Sequence, residues 1–235
     1  MNEISVALED ATTHPLRTVC EAASLTMLRG FEGFAEELPA NSKTVPLKLL
    51  QMNHTSIFEH INMRFTIRGA SRAFLAQMTR HRIASYTSGS QHYQDFRGFP
   101  YIKPRGLKNI VTYEKFMETV NDYYVYLREV EGLAKEEARY VLPNACRNNL
   151  EVTINARSLI NFLNLRCCNR NVFEMRLIAC KMLSHARVYF PELFDLVGPD
   201  CTMSKCKQGK MMCSETFFDW PKLEEVADAE GIKGV

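Results

Sequence analysis

The sequence predicts an α+β fold: a small, mainly antiparallel sheet flanked by helices, with no Rossmann nucleotide site. Three observations lead there. INMRFTIR at 61–68 alternates apolar and polar side chains, the period of a strand with one buried face. Residues 109–132 instead carry aromatic and aliphatic side chains at helical spacing over a length only a helix reaches. Neither GxGxxG nor GxxxxGK occurs, so the two common glycine-rich phosphate cradles are missing.

In chain order, residues 2–8 read as a short first strand. A helix over about 15–29 opens on Pro15, tolerated in a first turn, and Gly30 closes it. A shorter helix covers 45–53, then the strand at 61–68. A helix from about 70 runs into Arg80-His81-Arg82, after which the Ser/Thr/Gly-rich stretch is expected to be loop. Pro100 and Pro104 mark further irregular chain. Beyond 109–132, a helix at 134–142 is stopped by Pro143, and LEVTIN at 150–155 reads as a strand. Helices at 156–166 and 171–189 follow, the second ending before Pro191. From Gly198 the chain is polar and cysteine-bearing, with a short acidic helix at 220–229. The expected organisation is one domain over 1–197 and a tail over 198–235.

The 235 residues are 46% hydrophobic and 24% charged, an ordinary globular composition that can bury a sizeable core. No run of about 18 apolar residues supports a membrane span. MNEISVALED has early acids and no apolar stretch, so a secretory signal is not expected and a cytoplasmic location is. The eight cysteines are then reduced thiols or metal ligands rather than a disulfide framework.

A net charge of +2 conceals an uneven distribution. Residues 61–100 hold six arginines, no lysine and one acid, Asp95; residues 139–176 hold six more arginines, again without lysine, against Glu151 and Glu174. A solvated basic face mixes Lys with Arg, whereas Arg alone points to fixed, bidentate anion recognition. An RNA-binding surface without chemistry would interleave aromatic and basic residues; here the arginines alternate with apolar helix positions.

Guanidinium forks and hydroxyls match phosphate oxygens, and RHRIASYTSGSQHY concentrates both. Gln77 and Arg80, three apart, share a helix face. Taken alone, Arg80 and Arg82 could equally satisfy the carbonyls of a helix end. In NARSLINFLNLR, Leu159, Ile160, Phe162 and Leu163 form an apolar side, and Arg157, Asn161 and Asn164 or Leu165 form another that suits a cofactor's sugar, phosphate or ring edge. Arg166 and Arg170 extend it if the helix continues. Arg139 is either a site residue or a surface partner of Glu136 or Glu137. His54 and His60 lack a recognised ligand spacing, so hydrogen-bonding roles are expected. Cys201, Cys206 and Cys213 lack the tight CxxC pairs of strong zinc sites; free thiols are the plain expectation and a structural metal the alternative, and no metal ligand is assigned.

These blocks together resemble the flavin-dependent thymidylate synthases. Arg80-His81-Arg82 followed after seven residues by Ser90 resembles that family's signature. HTSIFEH, Gln77 three before the first signature arginine, EEARYVLP at 136–143 and NARSLINFLNLR with Glu174 resemble its other blocks in the same order, over about 50–190. The tail GPDCTMSKCKQGKMMC is similar to a cysteine-bearing tail of some members.

The resemblance implies a homotetramer with active sites at subunit interfaces and FAD in an extended, non-Rossmann mode. NADPH would reduce the flavin and methylenetetrahydrofolate would give the carbon added at C5 of dUMP. It assigns FAD contacts to Ser56, Arg80, His81, Arg82, Asn155, Arg157, Asn161, Leu165 and Arg170, the last standing where the family usually has histidine. It assigns the pyrimidine nucleoside monophosphate to Gln77, Arg80, Ser88, Ser90, His92, Arg139 and Arg166, with Arg166 polarising the ring. No nucleic acid or membrane partner is implied. One departure matters: the family's S-x-N-E-x-S-x-R-Y loop reads Ser85-Tyr86-Thr87-Ser88-Gly89-Ser90-Gln91-His92-Tyr93 here. Thr87, Ser88 and His92 replace Asn, Glu and Arg. That change motivates an alternative, C5-methylation or hydroxymethylation of dCMP or UMP, because an unpaired buried polar group costs about 1–3 kcal/mol and discriminates between bases.

Overall fold

The computed structural model of the protein describes residues 4–26, 38, 40–203 and 205–213. Alternation in the sequence becomes a sheet: β1 (Ser5–Ala11), β2 (Asn62–Ser71), β3 (Ala84–Ser88) and β4 (Arg147–Asn155) pair antiparallel in the order β1-β2-β4-β3. Along β2, Met63, Phe65 and Ile67 point inward, and along β4, Leu150, Val152 and Ile154 do; all six are buried. Each such side chain contributes about 1.5–3 kcal/mol on leaving water. A register shift between Ile67 and Ala70 accommodates Gly69 at φ 75°, a backbone conformation glycine adopts without steric cost.

The helices are α1 (Pro15–Thr26), α2 (Val45–Gln51), α3 (Arg72–Met78), α4 (Ile110–Glu129), α5 (Lys135–Ala138), α6 (Ala156–Arg166), α7 (Phe173–Tyr189), α8 (Pro191–Phe194) and α9 (Asp200–Met203). α6 and α7 cover the sheet: Leu159, Phe162, Leu163, Leu177, Ile178 and Leu183 join the strand residues in the main core. A second, smaller core gathers Phe96, Phe99, Met117, Tyr124, Ala138 and Cys146 under α4. None of the helices among the described residues is long and apolar enough to cross a membrane.

Three expectations are corrected. The stretch after Arg82, expected as loop, forms β3 at the sheet edge; its Thr, Tyr and Ser suit a half-exposed strand, and it pairs with β4 from Leu150 to Ile154. β2 and β4 are longer than 61–68 and 150–155, because pairing resumes beyond the bulge and joins Ser71 to Arg147. The helix expected over 134–142 is one turn of α5 followed by a tighter 3₁₀ turn at Arg139–Val141, as Pro143 withholds the N–H a longer helix needs. The expected acidic helix at 220–229 lies outside the described residues.

Candidate active site

The first candidate segment is fixed from below. Ser71 ends β2 and caps α3, its Oγ accepting the Phe74 N–H at 2.9 Å. The Glu174 carboxylate, at the start of α7, accepts from the Ser71 N–H at 2.6 Å and from the Ser71 hydroxyl at 2.7 Å. Burial pushes the Glu174 carboxyl up, while the Ser71 bonds and the Arg147 charge hold it down. α3 therefore delivers Gln77 and the Arg80-His81-Arg82 turn from an anchored start. Tyr86 on β3 closes that turn: its hydroxyl lies 2.7 Å from the His81 carbonyl and 3.0 Å from the Met78 carbonyl, sharing one proton between them. Burial pushes this phenol up to about 12, so it remains a donor at neutral pH.

The second segment is α6. Asn155 ends β4 and caps the helix, its Oδ1 accepting the Ser158 N–H at 2.9 Å. Arg157, Asn161 and Leu165 follow at four-residue spacing and all are exposed, forming one open stripe. At the last turn, Arg166 Nε donates to His81 Nε2 at 3.1 Å, and Arg166 Nη1 donates to Asn171 Oδ1 at 3.4 Å. Phe162, on the buried side of the helix, meets the His81 ring edge-on with centroids 5.0 Å apart. Burial lowers the His81 pKa, and the Arg166 charge lowers it further, so His81 is held neutral. Flanking it, Arg80 and Arg82 are exposed, and their guanidinium groups make no ion pair or hydrogen bond among the described residues. Ser56 is exposed on the 3₁₀ segment Thr55–His60, and Glu59 of that segment pairs with Arg157.

The third segment follows β3. Ser88 is exposed; after it Gly89 passes so near β4 that a Cβ would stand 2.5 Å from Asn148 Oδ1, so any side chain there would have to displace the Asn148 amide. Ser90 Oγ accepts the His92 N–H at 3.2 Å. His92 Nδ1 contacts the Glu136 carboxylate of α5, and Arg139 Nε donates to the Glu136 backbone carbonyl at 3.0 Å. Lys135 Nζ adds a bond to the Tyr93 carbonyl at 3.0 Å.

Two groups result. His81 and Arg166 meet directly, with Arg80, Arg82 and the α6 stripe beside them; Ser90, His92 and Arg139 gather around Glu136. Among the described residues no hydrogen bond or ion pair joins the groups. Arg170 turns elsewhere, donating to Gln208 Oε1 at 2.6 Å in the tail, and Gln77 is half-buried. Sequence reasoning missed Tyr86, Phe162, Asn171 and Glu136 as parts of the site. Tyr86 had a signal in its strand-like neighbours, whereas the approach of Glu136 to His92 depends on tertiary packing alone.

This arrangement has relatives. The family described as "Thymidylate synthase complementing protein" matches residues 7–192. A flavin-dependent thymidylate synthase of Geobacter sulfurreducens is 38% identical over 220 residues, covering 90% of this chain and 94% of the relative. One of Clostridium tetani is 35% identical over 233 residues, with the same coverage of 90% and 94%. Among solved structures, thymidylate synthase X of Helicobacter pylori with FAD and dUMP superposes with a TM-score of 0.67 at 25% identity, covering 85% of this chain and 99% of that one. The UMP/dUMP methylase PolB of Streptomyces cacaoi bound with 5-Br dUMP gives 0.69 at 24% identity, over 83% and 94%, and shares the fold. A match this long, carrying the arginine–histidine–arginine turn and the α6 arginine that meets it, means that the chain belongs to the flavin-dependent thymidylate synthase family.

Proposed function

We propose that the chain converts dUMP to dTMP by reductive C5-methylation, using bound FAD, with methylenetetrahydrofolate as carbon donor and NADPH as reductant. The observation that carries this is the 3.1 Å bond between His81 and Arg166, which unites the expected flavin-binding turn and the expected nucleotide-binding arginine.

The residues fit an extended dinucleotide. Arg80 and Arg82 are exposed guanidiniums with no protein anion beside them, and the open Arg157–Asn161–Leu165 stripe offers a cation, an amide and an apolar surface in sequence. FAD, once bound and reduced by NADPH, would supply the hydride that completes the methyl group. Ser56, Asn155 and Arg170 belong to the same binding face in this reading.

Arg166 does the charge stabilisation. With Nε on His81 and Nη1 on Asn171, its Nη2 has no partner among the described residues and is left for the pyrimidine, where negative charge builds. Neutral His81 orients this guanidinium by accepting from it, where a charged imidazolium would repel it. Gln77, Ser88, Ser90, His92 and Arg139 take the rest of the nucleotide. No side chain needs to attack the ring; the residues position reactants and exclude competing geometries.

The two residue groups being separate within one chain supports active sites shared between subunits of a homotetramer. Exposed Ile110, Val111, Phe116, Tyr123, Tyr126 and Val130 give α4 an apolar surface fit for a subunit contact. We place the catalytic domain at 1–197, the tail at 198–235 and the enzyme in the cytoplasm, with no nucleic-acid or membrane partner.

The test is incubation of the purified, FAD-loaded protein with labelled methylenetetrahydrofolate, NADPH and, separately, dUMP, dCMP and UMP. Label is expected in dTMP. Label only in a cytosine or ribonucleotide product would replace this reading with the alternative that uncharged Thr87 and Ser88 favour.

A further inference from the structure

Cys168 follows the end of α6, and Cys201, Cys206 and Cys213 lie on the tail, yet all four line one small cavity of about 20 Å³. We propose that these four thiols form a closed tetrathiolate zinc site that ties the tail to the end of the α6 helix.

Cavity size decides between guests. A space of this volume admits one atom-sized guest, since a single water needs about 10–15 Å³ by the same kind of measure, and it excludes a multi-iron cluster. Four sulfur donors with no oxygen or nitrogen donor select a soft-tolerant tetrahedral ion, and zinc takes four thiolates at about 2.3 Å. All four cysteines are free of disulfides. The resulting ZnS₄ unit carries a net charge of about −2. Arg170 lines the same cavity and is held by Gln208, while Lys207, next to Cys206 in sequence, pairs with Asp200.

The thiols border the cavity without closing on it. As they stand, the described residues include no group of three or more His, Cys, Asp or Glu that could hold a metal ion, so the four thiols must move together to form the site. Cys206 and Cys213 stand in irregular chain on either side of the 3₁₀ turn Gly209–Met211, so closing requires no helix or strand to break. A zinc ion there would hold the tail against a cleft of about 260 Å³ lined by Asn164, Leu165, Arg170, Asn171 and Lys207. Leu165 and Arg170 are expected flavin contacts, so the site would act as a brace for one wall of the active site. It stands on its own geometry and survives if the nucleotide assignment fails.

Elemental analysis of the full chain, purified without chelator from zinc-supplemented cells, is expected to give about one zinc per chain. Exchange with Co²⁺ should produce sulfur-to-cobalt charge-transfer absorption and the intense visible bands of a tetrahedral tetrathiolate. Cys206→Ser should lose most of the zinc, while Cys20→Ser, on α1 away from the cavity, should keep it. The two wild-type readouts carry the test if the variant fails to fold. Substoichiometric zinc, iron in its place, a cobalt spectrum without the charge-transfer band, disulfides among the four cysteines on non-reducing peptide mapping, or zinc retained by Cys206→Ser would each overturn the site.

Discussion

Arg166 Nε–H donates to His81 Nε2, and that bond exists only while this imidazole nitrogen is unprotonated. Burial and the Arg166 charge both depress the His81 pKa below its ordinary 6.5. For a base with a folded pKa below its unfolded one, the unfolded chain binds more protons, so stability is complete above the ordinary value and is lost as pH falls below about 6.5. We expect melting temperature and FAD retention to decline together on that acid side. His81→Gln, whose amide can accept the same bond without titrating, should remove this part of the decline. Thermal melts of both proteins across the acid range check it; parallel curves would show that His81 is not the group responsible.

Arg166→Ala should leave FAD bound and reduce turnover by about two to three orders of magnitude, the usual effect of deleting one donor to a developing anion. Arg166→Lys should not rescue, since lysine has one nitrogen where three contacts are made or left open. The check is flavin absorbance beside steady-state turnover, and near-normal turnover in Arg166→Ala would move the pyrimidine to another part of the molecule.

Arg82→Ala predicts the converse. Removing one charge-assisted phosphate contact costs about 1.5–3 kcal/mol, roughly ten- to a hundredfold in FAD affinity. Because Arg82 is exposed and unpartnered, folding stability should hardly change. Flavin fluorescence titration against a thermal melt separates the two effects.

Periodicity and chemistry made different parts of this molecule legible. Phe65, Ile67, Val152 and Ile154 announced their strands because one face is wet and the other dry. Asn155 and Ser71 are good caps, and the α6 boundaries followed from sequence to the residue. β3 escaped because Ala84–Ser88 is an edge strand whose hydrogen bonds come from β4, more than sixty residues away in the chain. The arginine windows led to the expectation of convergence on anions. What they concealed was the partner of each arginine: Arg157 meets Glu59, Arg139 meets a backbone carbonyl, and Arg170 meets Gln208. Those choices are tertiary.

The loop from Thr87 to His92 looked stripped of charge, yet Glu136 brings a carboxylate to His92 from α5. Holding Nδ1 fixes the ring and leaves Nε2 free to meet the nucleotide. Glu136→Gln retains the carbonyl that Arg139 uses, so it isolates the His92 contact. We expect KM for the nucleotide to rise severalfold with kcat and FAD affinity unchanged. Stability should move by no more than about 1 kcal/mol, since both side chains are close to half exposed. An unchanged KM would make this pair a surface contact only.

Glu174 and Ser71 provide the sharpest structural test, because 103 residues separate them and two short hydrogen bonds join them. Glu174→Ala leaves the Ser71 N–H and hydroxyl without their acceptor in a part-buried setting, a loss of about 2–3 kcal/mol. For a chain of this size that is roughly 5–10 °C in melting temperature. Ser71→Ala removes the hydroxyl bond and the Phe74 cap together while sparing the Ser71 N–H bond, so alone it should cost about 1–2 kcal/mol. If the carboxylate works through Ser71, the double variant will fall short of the sum by about 1 kcal/mol. Strict additivity would mean that Glu174 stabilises α7 on its own account and does not anchor the helix that presents Gln77 and the Arg80-His81-Arg82 turn.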